Sequence, residues 1–147
     1  MDVSAVVNKG FGQLLRAHNA VYQASNGRIG HRLLFGSRSL LLHTVGAKSG
    51  QPRATALTYA RDGDDYLVVA SNGGAHRYPG WYHNVRKRPA VEINVGPRRF
   101  PVTARIVTPD HPDYLRLWRI VNANNGNRYS NYQSMTPRPI PVVVLSP

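Results

Sequence analysis

Apolar and alternating segments separated by turn-forming residues dominate the chain beyond residue 40, and this pattern predicts a sheet built largely from hairpins. Asp62-Gly63 and Gly96-Pro97 each lie between two such segments and predict hairpin turns. Pro141 lies inside the last segment, so that strand is expected at a sheet edge or to start late. The predicted strands span residues 40–45, 54–61, 65–71, 91–95, 100–108 and 140–145.

Helical spacing of apolar residues predicts helices between these strands. The spacing begins at Val3 and stops before the turn cluster Ser25-Asn26-Gly27, which indicates a helix within residues 1–25. Residues 79–88 predict a short helix that Pro89 ends.

A further helix is predicted to begin at Thr108, with Pro109 in its first turn. Its buried face is predicted by the spacing of Tyr114, Leu117, Trp118 and Val121. Residues 122–131 are polar and contain glycine, so they are expected to form a loop or a frayed helix end.

Antiparallel hairpins with helices scattered between them predict an α+β fold rather than a doubly wound parallel sheet. About six mainly antiparallel strands can close into a small barrel and so remove exposed edges. A length of 147 residues fits one domain, which we expect to span 1–147.

Charge is the most unusual feature of the composition. Nineteen Lys and Arg against seven acids give a net charge of +12, which attracts polyanions. Residues 77–105 carry seven basic side chains and one acid, Glu92. Absence of cysteine excludes disulfides, thiolate metal sites and a cysteine nucleophile. No long apolar run or secretory signal is apparent, which predicts a cytoplasmic protein.

Familiar catalytic patterns are missing from the sequence. It contains neither a nucleophile elbow nor a Walker loop, and its six histidines show no metal-ligand spacing with a carboxylate. We therefore expect no metal site. Asp62, Asp64 and Asp65 fall at a predicted hairpin tip, where solvated turn residues are the usual finding.

Four short segments instead combine glycine, aromatic and anion-binding residues. Segment 46–53 offers Lys48, Ser49, Arg53 and glycine backbone, a mixture suited to phosphate, although an ordinary basic loop has the same composition. Ser71-Asn72-Gly73-Gly74 follows a strand and lets a flat ligand approach the backbone, or forms a plain turn.

The other two segments carry aromatic residues. Pro79-Gly80-Trp81-Tyr82-His83-Asn84 opens a helix whose free N–H groups suit an anion, while Trp81 also suits a core anchor. Tyr129 and Tyr132 suit either a wall over a planar ring or peripheral packing.

Taken together and in order, these segments resemble the deazaflavin-dependent nitroreductase family. The resemblance is carried by residues 41–53, by 70–74 followed by 79–84, and by 131–133 leading into 139–143. It implies a split β-barrel that binds coenzyme F420 and passes hydride from the reduced cofactor to an electrophilic acceptor. Quinones and bicyclic nitroimidazoles are acceptors of related members.

The resemblance also implies roles for particular residues. Lys48, Ser49 and Arg53 would meet the phosphate and the acidic tail of F420, a long polyanion attached to a planar ring. Ser71, Tyr129 and Tyr132 would lie on the acceptor side as the catalytic residues. The implied cofactor contacts are Ala47, Lys48, Ser49, Arg53, Ala54, Thr55, Ala56, Leu57, Thr58, Val69, Ala70, Ser71, Asn72, Gly80, Trp81, Tyr82, His83, Asn84 and Tyr129.

Some positions depart from the family pattern. Ala47 and Asn72 stand where relatives often have basic residues, and Gly126 stands where a nitroimidazole-reducing relative has tyrosine. These departures affect nitroimidazole reduction more than cofactor binding. Residues 1–25 match least, and because the corresponding helix is sometimes linked to membranes in relatives, peripheral contact with the plasma membrane stays open.

Two alternatives also fit the residues. A basic nucleic-acid-binding module would use the net charge and stack bases on the aromatic residues, although no known nucleic-acid motif is visible. A split barrel that binds FMN instead of F420 is the other alternative. The resemblance favours a small-molecule acceptor and no nucleic acid as the partner.

Overall fold

The computed structural model describes residues 38–147, so the helix predicted within residues 1–25 lies outside the described residues. The strands are β1 (Ser39–Val45), β2 (Pro52–Thr58), β3 (Ala60–Asp62), β4 (Asp65–Val69), β5 (Ala90–Val95), β6 (Arg98–Val107) and β7 (Val142–Ser146). The helices are α1 (Gly80–Lys87), α2 (Tyr114–Asn124) and α3 (Arg128–Gln133), and a short 3-10 turn spans Asn72–Gly74.

The strands form one curled sheet in the order β2-β1-β5-β6-β7-β4-β3, and every neighbouring pair is antiparallel. β2 and β3 lie at opposite edges of this sheet, yet only Tyr59 separates them in the chain. The chain therefore links the two edges directly and curls the sheet into a half-barrel. The predicted α+β split barrel is confirmed.

A single strand over residues 54–61 was expected, and that prediction is wrong. β2 pairs with β1, whereas β3 pairs with β4, so the chain changes partner at Tyr59. The Tyr59 N–H donates to the Arg38 carbonyl at 3.1 Å, which fixes this corner. The corner accounts for seven strands where about six were expected.

β4 and β7 are buried on both faces. Val68 and Val143 point into the barrel core, while Leu67 and Val144 pack under α2 and α3. This double burial explains why β7 is a continuous apolar run. β7 starts at Val142, after Pro141, and lies between β6 and β4; the late start is confirmed and the edge position is wrong.

The predicted start of the third helix at Thr108 is also wrong. Residues 108–113 form turns, and α2 begins at Tyr114. The Thr108 hydroxyl donates to the Asp110 carboxylate instead of capping a helix. Pro112 lacks an N–H and disfavours helical backbone in the residue before it, so the helix starts only after it.

The polar stretch after α2 is more ordered than expected. α2 continues to Asn124, and α3 forms after a turn in which Gly126 and Asn127 adopt φ values of +67° and +63°. None of the helices within residues 38–147 combines the length and the apolar character that crossing a bilayer requires.

Candidate functional site

A cleft of about 830 Å³ opens where the half-barrel is split. Its walls are the loop after β1, strand β2, the end of β4 with the 3-10 turn, the start of α1, and the α2–α3 junction. Its volume is typical of a small-molecule site. The lining residues are Gly46, Ala47, Lys48, Ser49, Arg53, Thr55, Ala56, Leu57, Thr58, Val69, Ser71, Asn72, Gly73, Arg77, Tyr78, Pro79, Gly80, Trp81, His83, Asn84, Asn125, Arg128, Tyr129 and Tyr132.

The cleft is positively charged. Four basic residues line it, namely Lys48, Arg53, Arg77 and Arg128, and no Asp or Glu among the described residues does so. Within residues 38–147, the ion pairs lie elsewhere, on Arg99 and on Arg116. A concave surface of one charge sign concentrates the field and attracts an anionic ligand.

The loop over residues 46–51, here called the anion loop, is closed by its own backbone. The Gly46 N–H donates to the Gln51 carbonyl at 2.8 Å, and the Gly50 N–H donates to the Gly46 carbonyl at 2.9 Å. Among the loop N–H groups, those of Lys48 and Ser49 have no acceptor within the part of the chain that the structure describes. Two adjacent backbone donors and a lysine suit a phosphate.

Asn84 of α1 anchors the anion loop to the barrel. Its Oδ1 accepts from the Ala47 N–H at 2.8 Å, and its Nδ2 donates to Thr44 Oγ1 at 3.0 Å. Lys87, one helical turn further on, donates to the Ala47 carbonyl at 2.7 Å. Asn84 is 8% exposed, and its bond to Thr44 is buried while its bond to Ala47 is partly buried, so the pair holds the loop to the barrel.

Arg53 at the start of β2 extends the basic end of the cleft. Its Nη2 reaches Ser49 Oγ at 3.5 Å across the anion loop. Its guanidinium is exposed, which leaves further donors for a ligand. The anion loop and Arg53 together form one end of the cleft.

The middle of the cleft lies along β2. Within residues 38–147, β2 stands at one end of the strand order and pairs with β1. Thr55, Leu57 and Thr58 of this strand line the cleft, as do Val69 and Ser71 at the end of β4. A flat ligand placed there would lie against backbone and small side chains.

Two tyrosines of α3 form the far wall. The ring centroids of Tyr129 and Tyr132 lie 6.4 Å apart, and the rings are steeply inclined at 64°. Burial raises the pKa of both hydroxyls, so both stay neutral hydrogen-bond donors near neutral pH. Tyr129 lines the cleft, so its hydroxyl can donate to a ligand there.

Close backbone contact sets the spacing between this wall and the 3-10 turn. Gly74 adopts φ +85°, and a Cβ there would lie 2.9 Å from Met135 Sδ and 3.1 Å from the Tyr132 carbonyl oxygen. Only glycine allows this approach. The 3-10 turn and α3 therefore lie in direct contact.

Most of the site residues predicted from the sequence line this one cleft. They include the three acceptor-side residues Ser71, Tyr129 and Tyr132. The predicted cofactor contacts that line it are Ala47, Lys48, Ser49, Arg53, Thr55, Ala56, Leu57, Thr58, Val69, Ser71, Asn72, Gly80, Trp81, His83, Asn84 and Tyr129.

Three predicted cofactor contacts do not line the cleft. Ala70 and Tyr82 are buried in the barrel core, and Ala54 is paired with His43 in the register of β1 with β2. Three further lining residues, Gly46, Gly73 and Pro79, belong to the segments singled out in the sequence but not to the predicted contacts. Sequence reasoning missed Arg77, Tyr78, Asn125 and Arg128. Arg77 and Tyr78 lie between two of the segments singled out in the sequence, and that position could have indicated them. Nothing in the polar stretch around Asn125 and Arg128 indicated those two residues.

Known proteins similar to this chain were found by sequence and by fold. The family model described as F420H(2)-dependent quinone reductase matches residues 14–147. The F420H(2)-dependent quinone reductase Rv1261c of Mycobacterium tuberculosis is 65% identical over 147 residues, covering 99% of each chain.

Two solved structures are similar in fold to this chain. An F420-H2 dependent reductase, FDR-A, aligns with a TM-score of 0.64 at 33% identity, covering 74% of this chain and 93% of that chain. HutZ, the heme storage protein of Vibrio cholerae, aligns with a TM-score of 0.57 at 16% identity, covering 74% of this chain and 80% of that one, and thus shares the fold.

Proposed function

Because the chain belongs to the F420H(2)-dependent quinone reductase family, we propose that it transfers hydride from reduced coenzyme F420 to a quinone in the cleft described above. The F420 dependence implied by the resemblance is confirmed at the level of the family. The observation that supports the cleft as the site is its charge: four basic residues line it, and no acid among the described residues does.

The residues present fit the cofactor. F420 joins a planar ring to a phosphodiester and a glutamate tail, so it needs a cationic end and a flat slot. The N–H groups of Lys48 and Ser49, which have no acceptor within residues 38–147, suit the phosphodiester together with Arg53 beside them. The stretch of β2 from Thr55 to Thr58 lines the cleft and suits the ring. Neither an FMN-binding barrel nor a nucleic-acid module is needed to explain these features.

The protein's part in the reaction is binding, orientation and electrostatics. When bound, reduced F420 supplies the hydride. Ser71 and the two tyrosines enclose the acceptor on the opposite side of the ring slot. Negative charge that develops on a quinone oxygen is stabilised by hydrogen bonds from the Tyr129 and Tyr132 hydroxyls. Since burial raises the pKa of Tyr129, that hydroxyl keeps its proton and water supplies the final one.

We extend the proposal to nitro compounds as a second acceptor class. A nitro oxygen gains negative charge during hydride transfer, as a quinone oxygen does, and would accept the same tyrosine hydrogen bonds. Turnover with a nitroaromatic and a benzoquinone, compared at equal F420H2, tests this extension; no turnover of the nitroaromatic would limit the acceptors to quinones.

The cofactor site is tested by titrating the protein with oxidised F420, FMN and a DNA duplex, followed by fluorescence or anisotropy. We expect tight binding of F420 alone. Lys48→Ala and Arg53→Ala should each weaken F420 binding and flatten its dependence on salt, since each removes a charge near the phosphate. Arg119→Ala, on the exposed face of α2, is the matched control and should bind as the wild type does. Unchanged affinity and salt slope in both cleft variants would remove the anion loop from the site.

The acceptor side is tested with Ser71→Tyr. Ser71 is 8% exposed at the cleft wall, so a phenol there would occupy the space of the acceptor. We expect quinone turnover to be lost while F420 affinity stays within about threefold of the wild type. Ser130→Tyr, on the exposed face of α3, is the control. Normal turnover by a folded Ser71→Tyr variant would place the acceptor elsewhere.

A further inference from the structure

Arg138 makes an unusual set of contacts in the connection between α3 and β7. Its guanidinium donates to three backbone carbonyls: Nε to Ala75 at 2.9 Å, Nη1 to Ala70 at 3.1 Å and Nη2 to Ser71 at 2.8 Å. These carbonyls flank the 3-10 turn on both sides. Arg138 thus holds together the two ends of the segment that forms one wall of the cleft.

The same guanidinium also holds a ring of that wall. Its central carbon lies 4.5 Å from the centroid of the Tyr78 ring. Tyr78 also stacks against Tyr82, with centroids 4.5 Å apart and planes inclined by only 13°. Tyr78 lines the cleft, whereas Tyr82 belongs to the barrel core. Contacts with a cation and with a buried ring therefore both hold Tyr78 in place.

The backbone of Arg138 is tied to the opposite wall. The Gln133 side-chain amide donates to the Arg138 carbonyl at 2.8 Å, and its oxygen accepts from the Ile140 N–H at 2.9 Å. Gln133 is the last residue of α3, the helix that carries Tyr129 and Tyr132. Gln133 and Arg138 thus connect the tyrosine wall to Ser71 through hydrogen bonds and to Tyr78 through a cation–ring contact.

The nature of these contacts argues for a geometric role. The ion pairs within residues 38–147 do not involve Arg138, so no carboxylate there offsets its partial burial, which lowers its pKa. A planar guanidinium that serves three carbonyls and a ring face fixes their relative positions, which a flexible ammonium group does not do. Displacement of about 1 Å at a reacting centre can cost about a hundredfold in rate.

We propose that Arg138 is a positioning residue for hydride transfer, setting the distance between the Ser71–Tyr78 wall and the tyrosine wall of α3. The proposal rests on the proposed function, because it assumes that hydride crosses between cofactor and acceptor in this cleft. Arg138 acts through Ser71 and Tyr78.

The test compares Arg138→Met and Arg138→Lys with the wild type. Arg119→Met is the matched control, because Arg119 is exposed on α2 and does not line the cleft. For each protein, kcat and the acceptor KM are measured at saturating F420H2, and the affinity for oxidised F420 is measured at several salt concentrations.

We expect Arg138→Met to lower kcat at least about tenfold and to raise the acceptor KM. Its F420 affinity should stay within about threefold of the wild type with the same salt slope, since Lys48 and Arg53 are untouched. Arg138→Lys should give an intermediate kcat, because an ammonium can satisfy only part of the carbonyl set. Arg119→Met should match the wild type.

A kcat within about twofold of the wild type in folded Arg138→Met would overturn the proposal, as would a loss of F420 affinity as large as the loss of kcat. If Arg138→Met does not fold, Arg138→Lys decides: a loss of kcat of about threefold or more supports the proposal, and a smaller loss overturns it. In each of these outcomes the wild type still oxidises F420H2. Failure of the proposed function is distinct, because the wild type itself would then neither bind nor oxidise the cofactor.

Discussion

Substitutions of Asn84 separate two contributions of the anion loop to F420 binding, namely its shape and its charge. Asn84→Ala removes the hydrogen bonds that hold Ala47 and Thr44, leaving a backbone N–H and a buried hydroxyl without their partner. Each such loss costs about 1–3 kcal/mol, so the free energy of unfolding should fall by about 2–6 kcal/mol. For a chain of this length, Tm should fall by roughly 6–18 °C. F420 affinity should fall as well, because the loop is released.

Asn84→Asp keeps the shape and changes the charge. A carboxylate still accepts from the Ala47 N–H, and the Thr44 hydroxyl can rotate to donate to it. An anion bound at the N–H groups of Lys48 and Ser49 would lie about 7 Å from the carboxylate, since consecutive Cα atoms are about 3.8 Å apart. Repulsion between unit charges at that distance is about 0.6 kcal/mol in water and about 2.4 kcal/mol near a protein surface. F420 affinity should therefore fall about 3- to 60-fold at low salt, with a smaller loss of Tm than in Asn84→Ala.

Fluorescence titration with F420 at low and high salt, together with thermal unfolding, measures both effects. Asn94→Asp is the matched control, because Asn94 is also a buried asparagine, 5% exposed, but does not line the cleft. We expect its F420 affinity to fall less than that of Asn84→Asp at each salt concentration, because Asn94 does not line the cleft. The reasoning fails if Asn84→Asp binds F420 at low salt as tightly as the wild type does.

Two further substitutions test the packing around the site. Gly74→Ala should destabilise the fold by about 1–3 kcal/mol and raise the acceptor KM, because a Cβ at φ +85° meets the Tyr132 carbonyl at 3.1 Å. Gly63→Ala is the control: its backbone is also strained, but the space around it is open, so the acceptor KM should not change. Tyr114→Phe removes the hydrogen bond to the Ile140 carbonyl at 2.6 Å and should cost about 1–2 kcal/mol at pH 7 with kcat unchanged. Burial raises the pKa of Tyr114 to about 12, so between about pH 10 and 12 only the unfolded tyrosine ionises. The free energy of unfolding of the wild type should therefore fall faster over this range than that of Tyr114→Phe. Parallel pH curves of the free energy of unfolding would contradict this.

Local chemistry sufficed to predict much of the fold and the basic end of the cleft. The turn at Gly63 and the apolar run of β7 follow from backbone freedom and burial, both of which act over a few residues. The anion loop was predicted in the same way, since Lys48, Ser49 and glycine occur within a few positions.

Features that depend on distant partners were not predictable. The bend at Tyr59 interrupts one alternating run, and nothing within the run indicates that its pairing strand changes. Thr108 and Pro109 form a good local helix start, but Pro112 delays the helix. Arg138 reaches carbonyls 63 to 68 residues away, and no pattern near position 138 reveals them.

Lys48 and Arg53 lie at the same end of the cleft, where two charges of one sign repel each other. An anion bound between them offsets that repulsion, so it should raise Tm as well as occupy the cleft. Salt screens both the repulsion and its relief, so the rise in Tm should be larger at low ionic strength.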